Sequence, residues 1–163
     1  MSAVGFQVRP ASCDDAAAIA EAHVDAILSL GPSAYAREVV ADWASPRTGE
    51  RYVQAMRQGE QFFVAVDGDA QVVGFAAHRV EAGDHRVAVY VRGRASRRGV
   101  GSSLFAAAEA VARAGGAREI RVDASLVAAS FYAAHGFLSE GPAMHTLRSG
   151  RAMACVKMRK PLA

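Results

Sequence analysis

Residues 90–105 read YVRGRASRRGVGSSLF. They close an apolar run, HRVAVYV, pass through a loop with arginines at 92, 94, 97 and 98, and reach a Gly-Val-Gly that opens a stretch with apolar residues at 100, 104, 108 and 111. Alternation followed by helical recurrence predicts a strand, a basic loop and a helix from about Gly99 to Ala114. Gly99 and Gly101 remove side chains where main chain must approach a ligand, and a helix start leaves its first amides without partners. Such a turn wants an anion. Arg92, Arg94, Arg97 and Arg98 add planar donors, and Ser102 and Ser103 add hydroxyls, so a pyrophosphate with a further phosphate would satisfy the set. On these residues alone, a glycine that merely starts a helix under a solvated basic loop remains the competing reading.

Working outward, EIRVDA (residues 119–124) predicts a strand after the helix, and LVAASFYAAHGF (126–137) a short helix. AMHTLRS and AMACVKMRK around Ser149-Gly150 predict a closing hairpin. Upstream, QFFVAV and QVVGFAAHRV flank the turn DGDA as an antiparallel hairpin. Asp67 and Asp69 there read as turn residues, because the other ligands of a calcium loop are missing. Phe6 to Arg9 is a short strand ended by Pro10, and Ser12 is placed to cap a helix rich in alanine. A second helix is expected from Ser33 to Trp43 and a short third one closing at Gly59. Seven strands with interspersed helices predict a mixed α/β domain, one unit over residues 1–163.

With 52% apolar residues, the chain can bury a substantial core. Nineteen basic against sixteen acidic residues leave a net charge of only +3, which implies neither a nucleic-acid nor a membrane partner. The basic loop also lacks the interleaved aromatics of an RNA-binding surface. Cys13 and Cys155 lie too far apart in sequence for a metal knuckle, and the five histidines show no ligand spacing, so no metal is expected. The N-terminus shows neither a basic nor an apolar leader segment, and the expected location is cytoplasmic.

Three phosphate-binding readings compete. A Walker A loop is excluded, since no G-x-x-x-x-G-K-[ST] occurs. A dinucleotide fingerprint has Gly99, Gly101 and an acid, Asp123, about twenty residues on, but Leu104 stands where its third glycine belongs. In the third, SRRGVG followed about thirty residues later by FYAAHGF resembles the paired signature of the GNAT superfamily of N-acetyltransferases, Q/R-x-x-G-x-G/A and F-Y-x-x-x-G-F. VRPAS with DDAAAIAEAH and FFVAVDGDAQVVGFA extend the resemblance to the family's first strand and helix and to its second and third strands.

The resemblance implies a central, mostly antiparallel sheet of about seven strands that splays between strands four and five. It implies acetyl-CoA as cosubstrate, its pantetheine arm along Val89, Tyr90 and Val91 and its diphosphate at Arg97, Arg98, Gly99, Val100, Gly101, Ser102 and Ser103. In that frame the arginine-rich loop faces the diphosphate and the adenosine 3′-phosphate. Tyr132 is then the general acid toward the CoA thiolate, with Phe131 packing beside it, and Glu81, Asp84 and His85 are the candidate general bases. An amide of strand four near Val89 to Val91 is the expected oxyanion donor. Ser96 stands where the family has Gln or Arg, and Ser125 where it often has Asn, with a hydroxyl that still suits the pantetheine arm. The acceptor is a primary amine on a small molecule or peptide. A homodimer through the last strands is left open, as is a GNAT-like module that binds CoA without turnover.

Overall fold

Strand β1 (Phe6–Pro10) stops at its proline, and Ser12 turns the chain into helix. The Asp15 carboxylate accepts the Ser12 amide at 2.8 Å and the Ser12 hydroxyl accepts the Asp14 amide at 3.3 Å, which satisfies donors that a helix start leaves free. Arg9 donates two bonds of 2.9 Å to Asp15 and holds its carboxyl below the usual range, tying β1 to the start of α1 (Ala16–Leu30). This computed structural model describes residues 5–162. Residues 1–4, part of the stretch read as carrying no leader, and residue 163 lie outside the described residues.

The helix expected from Ser33 to Trp43 is shorter. A single 3-10 turn, Gly31–Ser33, is followed by a break, and helix α2 begins only at Arg37 (Arg37–Trp43). The break frees Tyr35, whose hydroxyl donates to the Ala154 carbonyl and accepts the Leu126 amide, both at 2.7 Å. Helix α3 (Gly49–Arg57) then closes before Gly59, as its sequence predicts.

The remaining order is β2 (Gln61–Asp67), β3 (Val72–Glu81), β4 (Asp84–Val91), α4 (Val100–Ala114), β5 (Glu119–Ser125), α5 (Ala129–Ala134), β6 (Leu138–Thr146) and β7 (Ala152–Pro161). The seven strands form one sheet in the order β1-β2-β3-β4-β5-β7-β6, antiparallel except between β4 and β5. Helices cover both faces of its centre, so residues 72–78 of β3 are buried without interruption. Leu104, Phe105 and Ala108 of α4 pack with Val73 and Ala76 on one face; Ile19 and Tyr52 from α1 and α3 pack with Phe75 and Ala77 on the other. Leu104 is fully buried, and its truncation to alanine would cost about 2–5 kcal/mol.

One seam is incomplete. β4 and β5 pair only at His85 with Ile120 and Arg86 with Arg121. Beyond that point they diverge, while β3 holds β4 over its whole length and β7 holds β5 from Glu119 to Ser125. Each side of the wedge is therefore fixed by its outer neighbour, and the Tyr35 hydroxyl pins the exit of β5 to β7. The expected splay between strands four and five is present.

Candidate active site

The wedge opens into a cleft of about 280 Å³ between Val89, Tyr90 and Val91 of β4, the start of α4, and Ser125 with Phe131 on the far side. At its mouth, Gly99 is the N-cap of α4 with φ of +82°, a left-handed conformation that glycine adopts without a Cβ penalty. Arg97, two residues earlier, holds φ of +62°, a strained value for a residue with a Cβ. The first bond closing the helix runs from the Ser103 amide to the Gly99 carbonyl at 3.1 Å. The amides of Val100, Gly101 and Ser102 precede it and have no intrahelical acceptor. Gly101 has a different role from Gly99: a Cβ there would lie 3.0 Å from Cε1 of Phe131, so its absence lets α5 pack on α4.

The four loop arginines do not act together, which corrects the expectation that all of them face the diphosphate and the adenosine 3′-phosphate. Arg92 donates to the Val72 carbonyl at 2.9 Å and lies 3.6 Å from Asp25. Asp25 also accepts the Gly93 amide at 3.0 Å, so α1 clamps the loop from behind. Arg94 pairs with Asp67 at 3.4 Å. Arg97 lines the cleft, and Arg98 is exposed beside it. Val100 faces the core, Ser103 is exposed, and the Ser96 hydroxyl donates back to Gly93 O at 2.8 Å. His135 Nδ1 lies 2.8 Å from the Phe131 carbonyl, which can only accept, so in the neutral ring its Nε2 accepts from the Ser102 hydroxyl at 2.9 Å.

Deeper in, the cleft narrows to a throat of about 190 Å³ lined by Tyr132, Ser125, Ala88, Cys155 and Trp43. Tyr132 is buried, and burial pushes its phenol above the ordinary value, with the nearby main chain of Val89 opposing part of the rise. Asp123, the acid of the dinucleotide reading, is bonded to Arg86 at 2.9 Å.

The throat opens on its other side into a hollow of about 500 Å³, and Trp43 and Tyr90 wall all three spaces. His23 lies in this hollow with its ring 4.1 Å from that of Tyr90. It looks like a satisfied core histidine from its place on the apolar stripe of α1, yet among the described residues only Nδ1 is bonded, to the Tyr52 hydroxyl at 2.7 Å, and the buried Nε2 has no partner. Burial, reinforced by Arg47 and Arg51, drives its pKa well below 6.5 and keeps the ring neutral.

Glu81, Asp84 and His85 line neither cleft, throat nor hollow. They stand at the β3–β4 turn and the closed end of the wedge, about 17 Å of strand from Val89 in the case of Asp84. Glu81 bonds Arg79 at 2.9 Å, Asp84 lies 3.8 Å from Arg121, and His85 Nδ1 meets His78 Nε2 at 2.8 Å. The sequence places them near β4; the fold does not bring them to its open end. Among the described residues there is no cluster of three metal-ligating side chains, and no helix is long and apolar enough to cross a membrane.

The family model for the Acetyltransferase (GNAT) domain matches residues 32–160. A GCN5-related N-acetyltransferase from Rhodopseudomonas palustris is 30% identical, with 99% of each chain covered and a TM-score of 0.85. The PaiA N-acetyltransferase of Thermoplasma acidophilum, solved with coenzyme A, is 18% identical over 97% of this chain and 99% of its own, with a TM-score of 0.74. A phosphinothricin acetyltransferase from Sinorhizobium meliloti, solved with AcCoA, is 20% identical over 97% of this chain and 89% of its own, with a TM-score of 0.76. A search of curated proteins found no match. The splayed seam, the glycine-led helix and a family match over most of the sequence agree: the chain belongs to the GNAT family of acetyltransferases.

Proposed function

We propose that the protein transfers an acetyl group from acetyl-CoA to a primary amine by direct attack of the amine on the thioester. The observation that carries this reading is the fixed wedge between β4 and β5 with the amides of Val100, Gly101 and Ser102, which have no intrahelical acceptor, at its mouth. These residues fit a coenzyme A diphosphate: three amides at a helix start, Arg97 on the rim and apolar walls beyond. Neighbours of the same fold hold CoA or AcCoA, which supports the choice of ligand. Val89, Tyr90 and Val91 offer main-chain groups to the pantetheine arm where β5 no longer pairs with them, and Ser125 faces them with a hydroxyl. Bound acetyl-CoA supplies the activated carbonyl.

Tyr132 is the general acid. Its phenol lines the throat beside Val89 and carries the proton that the sulfur needs. For free groups, phenol to thiolate transfer is uphill by about 2 kcal/mol, the difference between pKa values of about 10 and 8.5. Burial raises the phenol further, and a thiolate formed beside it in the throat is destabilised as well, which offsets part of that rise. The amine enters as the neutral free base, its first proton lost to solvent, and His23, whose neutral ring lines the hollow next to the throat, takes the proton that the nitrogen sheds once it has attacked the carbonyl. In each turnover an N–C bond forms, the C–S bond breaks, the amine proton goes to the imidazole and the phenol proton to the sulfur; solvent restores both groups.

Two measurements test this. Acetyl-CoA at one hundred times its dissociation constant should stabilise the fold by about 2.7 kcal/mol, with no such shift from NAD. Amine-dependent thiol release should accompany binding. Stabilisation without amine-dependent release of thiol would make the protein a CoA-binding module without turnover, and a shift with NAD instead would end the reading.

A further inference from the structure

The hollow behind Trp43 has a charge imbalance that neither the cofactor nor the fold uses. Four arginines line it, at 47, 51, 79 and 148, against Asp42 and Glu60. Asp42 is engaged by Arg151 at 3.0 Å and by the Ser149 hydroxyl, and Arg79 by Glu81 at 2.9 Å. That leaves Arg47, Arg51 and Arg148 facing one carboxylate. They come from separate parts of the chain, the loop after α2, helix α3 and the β6–β7 turn, and burial, with smaller contributions from the charges of Arg51 and Arg148, lowers the affinity of Arg47 for its proton.

Arg47 stands apart from the others. Its Nε and Nη1 are buried and have no hydrogen-bond partner among the described residues. Buried donors on a charged group almost always find an acceptor, because leaving them unmatched forfeits their hydration. Arg47 lies beside Tyr52 and Tyr90, and Tyr90 also walls the throat that holds Tyr132. A guanidinium presents parallel N–H groups that match the two oxygens of a carboxylate or phosphoryl group. An ammonium or polyamine in the same place would face three cations and leave those donors unmatched.

We propose that the acceptor is a small amine that also carries an anionic group, carboxylate or phosphoryl, which Arg47 grips with help from Arg51 and Arg148 while the amino group enters the throat. This rests on the acetyltransfer reading and adds the substrate class. The anion anchors the molecule on the far side of Trp43 from the cofactor cleft, and attraction from the basic hollow favours its entry.

The test compares L-glutamate and 2-aminoethylphosphonate with ethanolamine, propylamine and spermidine as acceptors at saturating acetyl-CoA, by thiol release. One or both anionic amines should exceed the neutral ones by about tenfold to a hundredfold in kcat/KM, the range a charge-assisted pair supplies, and which one leads separates carboxylate from phosphoryl recognition. Arg47→Gln should collapse that ratio toward one through KM, and Arg47→Lys should keep part of it; a retained melting shift with CoA certifies the fold of each variant. A preference for neutral or cationic amines, or an Arg47→Gln ratio equal to that of the parent, overturns the proposal while the acetyltransfer reading stands. If no amine is acetylated, calorimetry of the two anionic amines on CoA-saturated protein decides. Binding that Arg47→Gln abolishes supports the anion site, and no binding of either overturns it. Loss of CoA binding itself would indict the earlier reading instead.

Discussion

Gly99 and Gly101 stand two residues apart in one turn, yet the structure gives them separate physical reasons, and a pair of mutant cycles tells them apart. A Cβ at 101 would lie 3.0 Å from Cε1 and 3.4 Å from Cζ of Phe131. The ring has little freedom to retreat, since the His135 ring lies tilted against it with centroids 4.3 Å apart and Tyr132 meets it edge-on at 5.2 Å. Gly101→Ala should therefore cost about 1–3 kcal/mol as an overpacking change. That is a melting shift of about 2–4 °C per kcal/mol for a chain of this size. A Cβ at 99 would meet nothing within 4 Å, but φ of +82° penalises any L side chain, so Gly99→Ala costs about 1–2 kcal/mol by strain alone. Urea denaturation of both variants, with and without Phe131→Leu, supplies the assay. A smaller side chain at 131 should relieve the first change with a coupling of at least about 0.5 kcal/mol and leave the second additive. A neutral Gly101→Ala, or equal coupling in the two cycles, would refute the reasoning.

Tyr132→Phe should lower turnover by about 10²–10⁴-fold with acetyl-CoA affinity nearly kept, and an acetyl thioester of a more acidic thiol should recover part of the loss; unchanged turnover removes the phenol from the chemistry. Because burial lowers the folded-state pKa of His23 below 6.5, the unfolded chain binds the extra proton as pH falls. The stability from this site is present in full above pH of about 6.5 and declines below it by up to about 1.36 kcal/mol per pH unit. His23→Gln should remove that slope between pH 5 and 6.5, as read by urea melts, while the smaller contribution of His78, also lowered by burial, persists. Arg97→Gln should weaken CoA binding by about tenfold in calorimetry, and Arg94→Gln, whose arginine faces Asp67 instead, should change it by less than about twofold.

The strand, loop and helix at residues 84–114 were legible because their signals are local: alternation in β4, the glycine start of α4 and an apolar stripe through Leu104. The partners of the loop were not. Arg92 is held by Asp25 and Val72, and Arg94 by Asp67, across separations that no spacing rule reports. Glu81, Asp84 and His85 are close to β4 in sequence, but an extended strand carries Val89 far from them, so nearness along the chain misled about nearness in space. Arg47 gave no local signal, because its burial depends on α3, Tyr90 and the β6–β7 turn meeting around it. His23 was legible as buried from its stripe position, but its unbonded Nε2 follows only from where Tyr52 and the hollow lie. Tyr35 fell inside a stretch read as continuous helix, and its long-range bonds to Ala154 and Leu126 accompany the break there.

The account turns on main-chain amides of α4 binding the diphosphate of the acyl carrier. Titrating ¹⁵N-labelled protein with coenzyme A measures this residue by residue. The largest shifts should fall on the amides of Val100, Gly101 and Ser102 and on Val89, Tyr90 and Val91, with NAD at the same concentration leaving them in place. Saturable coenzyme A binding that moves amides elsewhere and leaves those of Val100, Gly101 and Ser102 unshifted would contradict the account.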